Sequence, residues 1–392
     1  MQNKITNIPQ QVLHLETKQN LVKIALVIMA KEFLQRMYDP GQENVSFAIG
    51  KNKDFFLVDA PLTPGAVMPT EESLAVLYSH FHKDHCPQEK SKRKMPNALK
   101  LFNPTTLILL DHIGVRTDLL SNIRHLTPEK KTKIEGFGTI IPIAVSHSSI
   151  DAMAFWIELD SGNTIFYSGD IRSGNRTDRA IETVRKLAGI KGVSLFIGDA
   201  TGVGKEHISQ QDHLHRLKEA LRLAEKNKAG TTIFVKAGDY GNIAFWFENR
   251  VFENCEVFLS PQLQRVLGPK NLNWLSYLSS RYGYTPPDIN WLEKSLRLGK
   301  KTVFLYDNQW KNQITGKHVL INASRKEIPY KSDYVIAVFP IGFSGHSSEA
   351  FYNLLQACNP EHIAYLHPPQ KGKPRIGQRE VVMKKRGSIF EL

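Results

Sequence analysis

The sequence predicts a β-rich α/β domain interrupted by an α/β insertion near residues 205 to 335. Two observations predict it. Short apolar runs bounded by Gly, Asn, Lys and Pro recur through the first half of the chain. After Gly204 the rhythm changes to alternating helix-like and strand-like stretches, and it returns to buried-strand texture near Tyr334. At 392 residues the chain exceeds what one compact core usually holds, so an insertion or a second domain is expected.

The elements follow in order. Pro9 to Tyr38 reads as helical, with Leu21, Ile24, Ala25, Ile28, Phe33 and Met37 at helical spacing. Strands are expected at Val45–Gly50, Asp54–Asp59, Leu74–Ser79, Thr106–Leu110, Thr139–Ser146, Ala154–Leu159, Thr164–Ser168 and Leu195–Gly198. In the insertion, helices are expected at Gln210–Lys228, Ala244–Asn254 and Pro261–Leu267. Strands are expected there at Thr231–Val235, Val257–Leu259 and Thr302–Tyr306. Tyr334–Pro340 and His362–His367 read as strands around a helix at Ser348–Cys358. The divisions are 1–44, a helical extension; 45–204, the first part of the main domain; 205–335, the insertion; and 336–392, its return.

Hydrophobic residues make up 41% and charged residues 23%, ordinary for a globular chain and against disorder. Lys and Arg total 51 against 38 acidic residues, and a net charge of +13 favours a polyanionic partner. One basic cluster comprises Lys90, Lys92, Arg93, Lys94 and Lys100; another runs from Lys371 to Arg386. Trp274, Tyr277, Tyr282, Tyr284 and Trp291 gather beside Arg281, where they could stack on bases or pack a core. Cys86, Cys255 and Cys358 are too few and too scattered for a disulfide framework, which fits a reducing compartment. With no signal-peptide pattern and no membrane-length apolar run, a cytoplasmic location and no membrane partner are expected. Gly198–Lys205 superficially suggests a phosphate-binding loop, but Asp199 stands where a glycine is required and Glu206 where Ser or Thr is.

The chemistry concentrates in Ser79-His80-Phe81-His82-Lys83-Asp84-His85-Cys86, directly after an apolar strand. A lone His-x-His is most often a pair of solvated surface histidines. Here His80 and His82 share a face of an extended segment, and a turn beyond brings Asp84 and His85 to a second point nearby. One loop can then serve two divalent ions. His147 and Asp170 each end a β-rich run, and Asp170 sits where one carboxylate can bridge two ions. Cys86 reads as a small packed side chain rather than a nucleophile.

At these residues the sequence resembles the metallo-β-lactamase superfamily, and within it the β-CASP nucleases. The segment from Val145 to Gly174, with its His-Ser-Ser-Ile-Asp and Ser-Gly-Asp, is similar to ribonuclease J-type sequences. "IGDATGVG", "FPIGFSGHSS" and "CNPEHIAYLHPPQ" resemble three further β-CASP motifs, carrying Asp199, His346 and His367. The resemblance implies an αββα sandwich with a β-CASP cap inserted at 205–335, and hydrolysis of nucleic-acid phosphodiester bonds, RNA favoured over DNA. It implies two divalent ions, Zn²⁺ or else Mn²⁺. His80, His82, His147 and Asp170 would hold the first; Asp84, His85, Asp170 and His367 the second. Asp84 would also orient the attacking water, Asp199 would support the ligand histidines, and His346 would protonate the leaving oxygen. Ser344, Gly345 and Ser347 would contact substrate phosphate. A homodimer is an expected assembly. The pattern departs from the family at Pro368, where relatives carry Gly, and at Asp199, where many RNA-cleaving members carry Glu. The rival readings are a DNA-directed nuclease, a small-molecule metallo-hydrolase, and a scaffold that has lost its chemistry.

Overall fold

A computed structural model describes residues 32–36, 47–51, 54–60, 75–86, 97–112, 120–204, 209–235, 239–252, 255–259, 302–307, 318–322, 335–340 and 346–367, with short pieces at 115, 117, 369, 379–380 and 389–391. The first elements are β1 (Glu32–Arg36), β2 (Phe47–Lys51), β3 (Asp54–Val58), β4 (Ala75–Leu77), β5 (Leu99–Phe102), α1 (Pro104–His112) and β6 (Ile123–His125). Next come β7 (Thr132–Ile134), β8 (Gly138–Ala144), β9 (Met153–Leu159), β10 (Thr164–Tyr167), α2 (Asn175–Lys191) and β11 (Leu195–Gly198). Then follow α3 (Gln210–Lys226), β12 (Gly230–Val235), α4 (Tyr240–Glu248), β13 (Glu256–Leu259), β14 (Thr302–Asp307), β15 (His318–Asn322) and β16 (Val335–Pro340). The chain closes with α5 (Ser348–Cys358), β17 (His362–Tyr365), β18 (Arg379–Glu380) and β19 (Ile389–Glu391).

Two seven-stranded sheets, in the orders β19-β1-β2-β3-β4-β5-β6 and β18-β17-β11-β10-β9-β8-β7, stack on one another. The period of two along each strand builds the layers. Phe47, Ile49, Phe56, Val58 and Leu77 point from the first sheet into a shared core with Phe155, Ile157, Ile165, Leu195 and Ile197 of the second. The alternate residues Ala48, Phe55, Leu57 and Val76 point outward into a cluster with Leu109 and Leu110 of α1. On the second sheet, Trp156, Phe166 and Phe196 face Ala180, Ile181 and Val184 of α2 and Phe351 and Leu354 of α5. Each fully buried aliphatic or aromatic side chain contributes about 1.5–3 kcal/mol. Helices thus cover the outer faces of a two-sheet sandwich.

A third, all-parallel sheet, in the order β13-β14-β12-β15-β16, comes from strands between Gly230 and Pro340. Because β16 pairs with β15, this sheet runs past the boundary expected at residue 335. Leu217, Ala220, Ile233, Tyr240 and Trp246 join the same buried cluster as Phe81 and Cys86, so the third unit packs beside the ligand loop.

Three expectations are corrected. Thr106–Leu110 is not a strand but lies in α1: Asn103 accepts a hydrogen bond from Thr105 N at 2.9 Å, and Pro104 takes the first helical position. That start signal outweighs the β-branched run. Residues 32–36, inside the expected N-terminal helix, form β1, which pairs with β2 on one side and with β19 on the other. A partner from the far end of the chain is invisible to a local window, and it overrides helical spacing. Lys100, assigned to a basic cluster, is buried on β5 and donates to Ala98 O and Ser121 O. Helix α2 was missed; Gly174 gives it no side-chain cap, and its buried stripe is thin. The helix expected at Pro261–Leu267, the aromatic group from Trp274 to Trp291, and most of both basic clusters lie outside the described residues. No helix among the described residues is long and apolar enough to cross a membrane.

Candidate metal centre

The site forms where strands of both sheets end together. β4 leads into Ser79–Cys86, β8 into His147, β10 into Asp170, β11 into Asp199 and β17 into His367. Met153 N donates to Ser79 O at 3.0 Å, tying the two sheets at this edge.

Two four-residue sets converge, one of His80, His82, His147 and Asp170, the other of Asp84, His85, Asp170 and His367. In each set one donor atom per residue lies within 4.8 Å of the others, and Asp170 is common to both. These are the seven residues the sequence singled out as ligands. In the first set His82 Nδ1 lies 3.0 Å from His80 Nε2 and 3.2 Å from His147 Nε2. The Asp170 Oδ2 atom is 3.6 Å from His147 Nε2 and 3.9 Å from His80 Nε2. In the second, Asp170 Oδ1 is 3.2 Å from His367 Nε2 and 3.4 Å from His85 Nε2.

Hydrogen bonding fixes which nitrogens face inward. Asp59 is fully buried; it accepts from Ser79 N and Ser79 Oγ, each at 2.7 Å, and from the Tyr167 hydroxyl. His85 Nδ1 sits 2.7 Å from the same carboxylate and donates to it, leaving the Nε2 lone pair directed at Asp170 and Asp84. The Ser79 hydroxyl spends its one hydrogen on Asp59, so His80 Nδ1, 3.0 Å away, donates to it and His80 Nε2 is the acceptor. Burial pushes the His80 ring well below its ordinary pKa, and the neighbouring His85, His82 and His147 rings push the same way. For His85 burial also lowers the pKa, but the carboxylates of Asp170, Asp84 and Asp59 outweigh it and raise it. Burial would raise Asp170, yet His85 and His367 hold it well below the usual carboxylate range.

The donor set fits divalent cations. His85 Nε2, His367 Nε2 and Asp170 Oδ1 are buried, face one another and have no hydrogen-bond partner among the described residues. Buried polar atoms that converge without hydrogen-bond partners are costly unless a cation completes them. Neutral imidazoles with carboxylates suit Zn²⁺ and Mn²⁺ alike.

Beside both sets, Asp170, Asp199 and His346 form a third group within 4.8 Å, in which His346 Nδ1 lies 2.6 Å from Asp199 Oδ2. The His346 ring is 5.5 Å from that of His147 and 6.2 Å from that of His367. Its side chain is 24% exposed, whereas His80 and His85 are sealed. Asp199 also accepts from Ile171 N at 3.2 Å and Thr201 N at 3.0 Å. The support expected from Asp199 for ligand histidines therefore goes to His346. Ser347 caps α5, accepting from Ala350 N at 3.3 Å, and its hydroxyl also meets Ser173 Oγ at 2.8 Å, so it is engaged within the protein. Ser344 and Gly345 lie outside the described residues. Cys86 is buried and donates to His80 O at 3.0 Å, a packing role as expected.

Sequence reasoning missed two supporting carboxylates. Asp59, with φ at 52°, ends β3, and its signal was the polar residue closing an apolar run. Asp151 was visible only as part of His-Ser-Ser-Ile-Asp. It accepts from Thr106 Oγ1 at 2.6 Å and from Ser149 Oγ, and burial pushes its carboxyl up to about 6.

This geometry agrees with the comparisons. Residues 42–235 match the family model described as Beta-lactamase superfamily domain. Members of the metallo-β-lactamase superfamily are usually metal-dependent hydrolases, and the His/Asp cluster here could hold divalent metal ions. A solved structure titled as a protein of unknown function from Enterococcus faecalis V583 superposes with a TM-score of 0.66 at 14% identity. The superposition covers 93% of this chain and 100% of that one, and it carries the fold alone. No curated protein matches the sequence.

Proposed function

We propose that this chain hydrolyses phosphodiester bonds of nucleic acid, RNA in preference to DNA, using two divalent cations, Zn²⁺ in the first instance. The observation that carries the reading is the Asp199–His346 pair standing beside two ligand sets that share Asp170. When bound, two such ions supply Lewis acidity toward phosphoryl oxygen and activate water. The protein's own groups do the rest. His80, His82, His147 and Asp170 hold one cation; Asp84, His85, Asp170 and His367 hold the other. Asp84, partly exposed in the second set, orients water. His346 stays outside both four-residue sets, is reachable by solvent and is held at Nδ1 by Asp199, and it would carry a proton to the leaving oxygen.

Three further features support a polynucleotide substrate. The net charge is +13. The motifs around Asp199, His346 and His367 resemble β-CASP motifs in their order, and a parallel sheet comes between the first two in the chain. RNA is favoured on the likeness of the Val145–Gly174 segment to ribonuclease J-type sequences; Asp199 in place of Glu favours DNA as the second reading. The test is incubation with end-labelled single-stranded RNA and DNA of one sequence, with chelator and after adding back Zn²⁺ or Mn²⁺, beside nitrocefin and thioester controls. Metal-dependent cleavage, faster on RNA, is expected. Turnover of nitrocefin or thioester with both polynucleotides intact overturns the reading.

A further inference from the structure

Three consecutive residues at the start of α4 each contact a different ligand-bearing loop. The Tyr240 ring stacks on Phe81, which lies between His80 and His82, at 6.1 Å between centroids and 25° between planes. Gly241 N donates to Ser148 O at 2.7 Å, and the carbonyl of His147 approaches so closely that a Cβ on Gly241 would lie 2.2 Å from it. Asn242 Oδ1 accepts from Arg172 Nη1, while Arg172 Nη2 donates to Gly241 O at 3.0 Å. Arg172 stands two residues beyond Asp170, and its own N donates to Ser146 O at 2.8 Å, beside His147. Tyr240, Asn242, Phe81 and Arg172 are all buried. The turn therefore touches every loop that supplies the first ligand set.

We propose that the first turn of α4 is a positioning clamp for the set of His80, His82, His147 and Asp170, so that cation affinity there depends on how α4 is seated. This rests on the metal reading of the site but not on the choice of substrate. Loops joining strand ends are the least constrained parts of a sheet protein, and a ligand set drawn from three of them needs something to fix their spacing. Arg172 is the cross-piece. Its guanidinium is planar, always charged and buried, and its two outer nitrogens are given to α4 while its backbone holds the His147 loop. Further along α4, Trp246 Nε1 donates to His213 Nε2 of α3 at 2.8 Å, a bond separate from the turn that meets the ligand loops.

Gly241→Ala is the discriminating variant. Alanine favours a helix by about 1 kcal/mol over glycine, so a defect would come from displacement against the His147 carbonyl, not from a weaker helix. Tyr240→Leu removes the stacking on Phe81 and serves as the second variant should Gly241→Ala fail to fold. Trp246→Phe breaks the bond from α4 to His213 of α3 but removes none of the contacts made by Tyr240, Gly241 and Asn242, and is the structural control. Metal-free full-length protein is titrated with Zn²⁺ against a chromophoric chelator, with the thermal midpoint of the metal-free form recorded alongside. Wild type binds two ions. Gly241→Ala should weaken one of them about ten- to a hundredfold and leave the other unchanged, Tyr240→Leu should weaken the same one, and Trp246→Phe should weaken neither. Two unaltered affinities in a folded clamp variant overturn the clamp while leaving the metal reading intact. Equal losses in Trp246→Phe reduce it to general stability and overturn it too. A wild type that binds no ion defeats both.

Discussion

Nδ1 of His346 lies 2.6 Å from Oδ2 of Asp199, although 147 positions separate them and a parallel sheet is built in between. Burial would raise the Asp199 carboxyl, but the His346 imidazole prevails and holds it low. The carboxylate also takes backbone hydrogens from Ile171 and Thr201, so it is fixed before it meets the ring. Asp199→Asn keeps the shape and removes the charge that orients the imidazole. Cleavage should slow on the order of a hundredfold, the lower end of what a proton donor contributes. Metal content should not change, because Asp199 is outside both four-residue sets. Loss of an ion together with activity would place Asp199 among the ligands.

Asp59 makes a different prediction. It orients His85 through Nδ1 and at the same time takes the Ser79 and Tyr167 hydroxyls. Asparagine has one oxygen where Asp59 uses both, so its NH₂ faces either Ser79 N–H or the donors gathered at the other oxygen, and the charge that anchors His85 Nδ1 is lost. Asp59→Asn should weaken the second cation by about ten- to a hundredfold. It should also cost stability on the order of 1–3 kcal/mol from buried donors left unmet. A Zn²⁺ titration and a urea unfolding curve measure the two effects separately. Unchanged affinity at both sites would mean that the His85 ring is held by packing alone.

Much of the candidate site was legible because its chemistry is written in short, contiguous motifs. His80, His82, Asp84 and His85 lie within six residues, and His147, Asp170 and His367 each close a strand whose apolar run is plain in the sequence. The strands of the stacked sheets were legible for the same reason, since burial on alternate faces leaves its period in the sequence. What was not legible depends on partners distant in the chain. β1 is a strand because β2 and β19 lie on either side of it, and the helical spacing around Glu32 does not report that. Asp59 looks like any polar residue ending a strand until Ser79, His85 and Tyr167 gather on it. The α1 segment differs from the strand expected at Thr106–Leu110 because Asn103-Pro104 starts a helix ahead of the β-branched residues.

The buried pair of His213 and Trp246 should give the fold an acid sensitivity separate from the metal centre. His213 accepts from Trp246 Nε1 at 2.8 Å. Burial lowers its pKa to about 4, with Arg172 and Arg216 acting in the same direction. An unfolded chain protonates this ring near its ordinary value, about 6.5. The folded state thus binds fewer protons between 6.5 and 4. The stability this ring contributes is complete above 6.5 and is lost as pH falls toward 4, up to about 3 kcal/mol. His213→Gln retains an acceptor for the indole and does not titrate. Urea midpoints with chelator present should therefore fall less for His213→Gln than for wild type across that window. Parallel curves would show that the ring takes up its proton without cost.

The last prediction separates His346 from His367, which look alike as single histidines near the end of the chain. Both rings are partly exposed, and their centroids are 6.2 Å apart. Their partners differ. His367 Nε2 faces Asp170 Oδ1 at 3.2 Å and Asp84 Oδ2 at 4.0 Å, inside the second ligand set, with no hydrogen bond among the described residues. His346 Nδ1 is given to Asp199, outside both sets of four. His367→Ala should therefore lose the second ion and with it activity, and raised metal concentration should partly restore both. His346→Ala should keep two ions and bind substrate, yet cleave about a hundred- to ten-thousandfold more slowly, the usual contribution of a general acid, with no rescue by metal. Metal stoichiometry, the thermal midpoint and single-turnover cleavage on the two variants measure these outcomes together. If both variants lose thermal stability and metal alike, the two rings are structural and the division of roles fails. A fully metallated His367→Ala, or a metal-depleted His346→Ala, would reverse the assignment even if neither variant cleaves, because metal retention reports which ring belongs to the ligand set whether or not the chemistry proceeds.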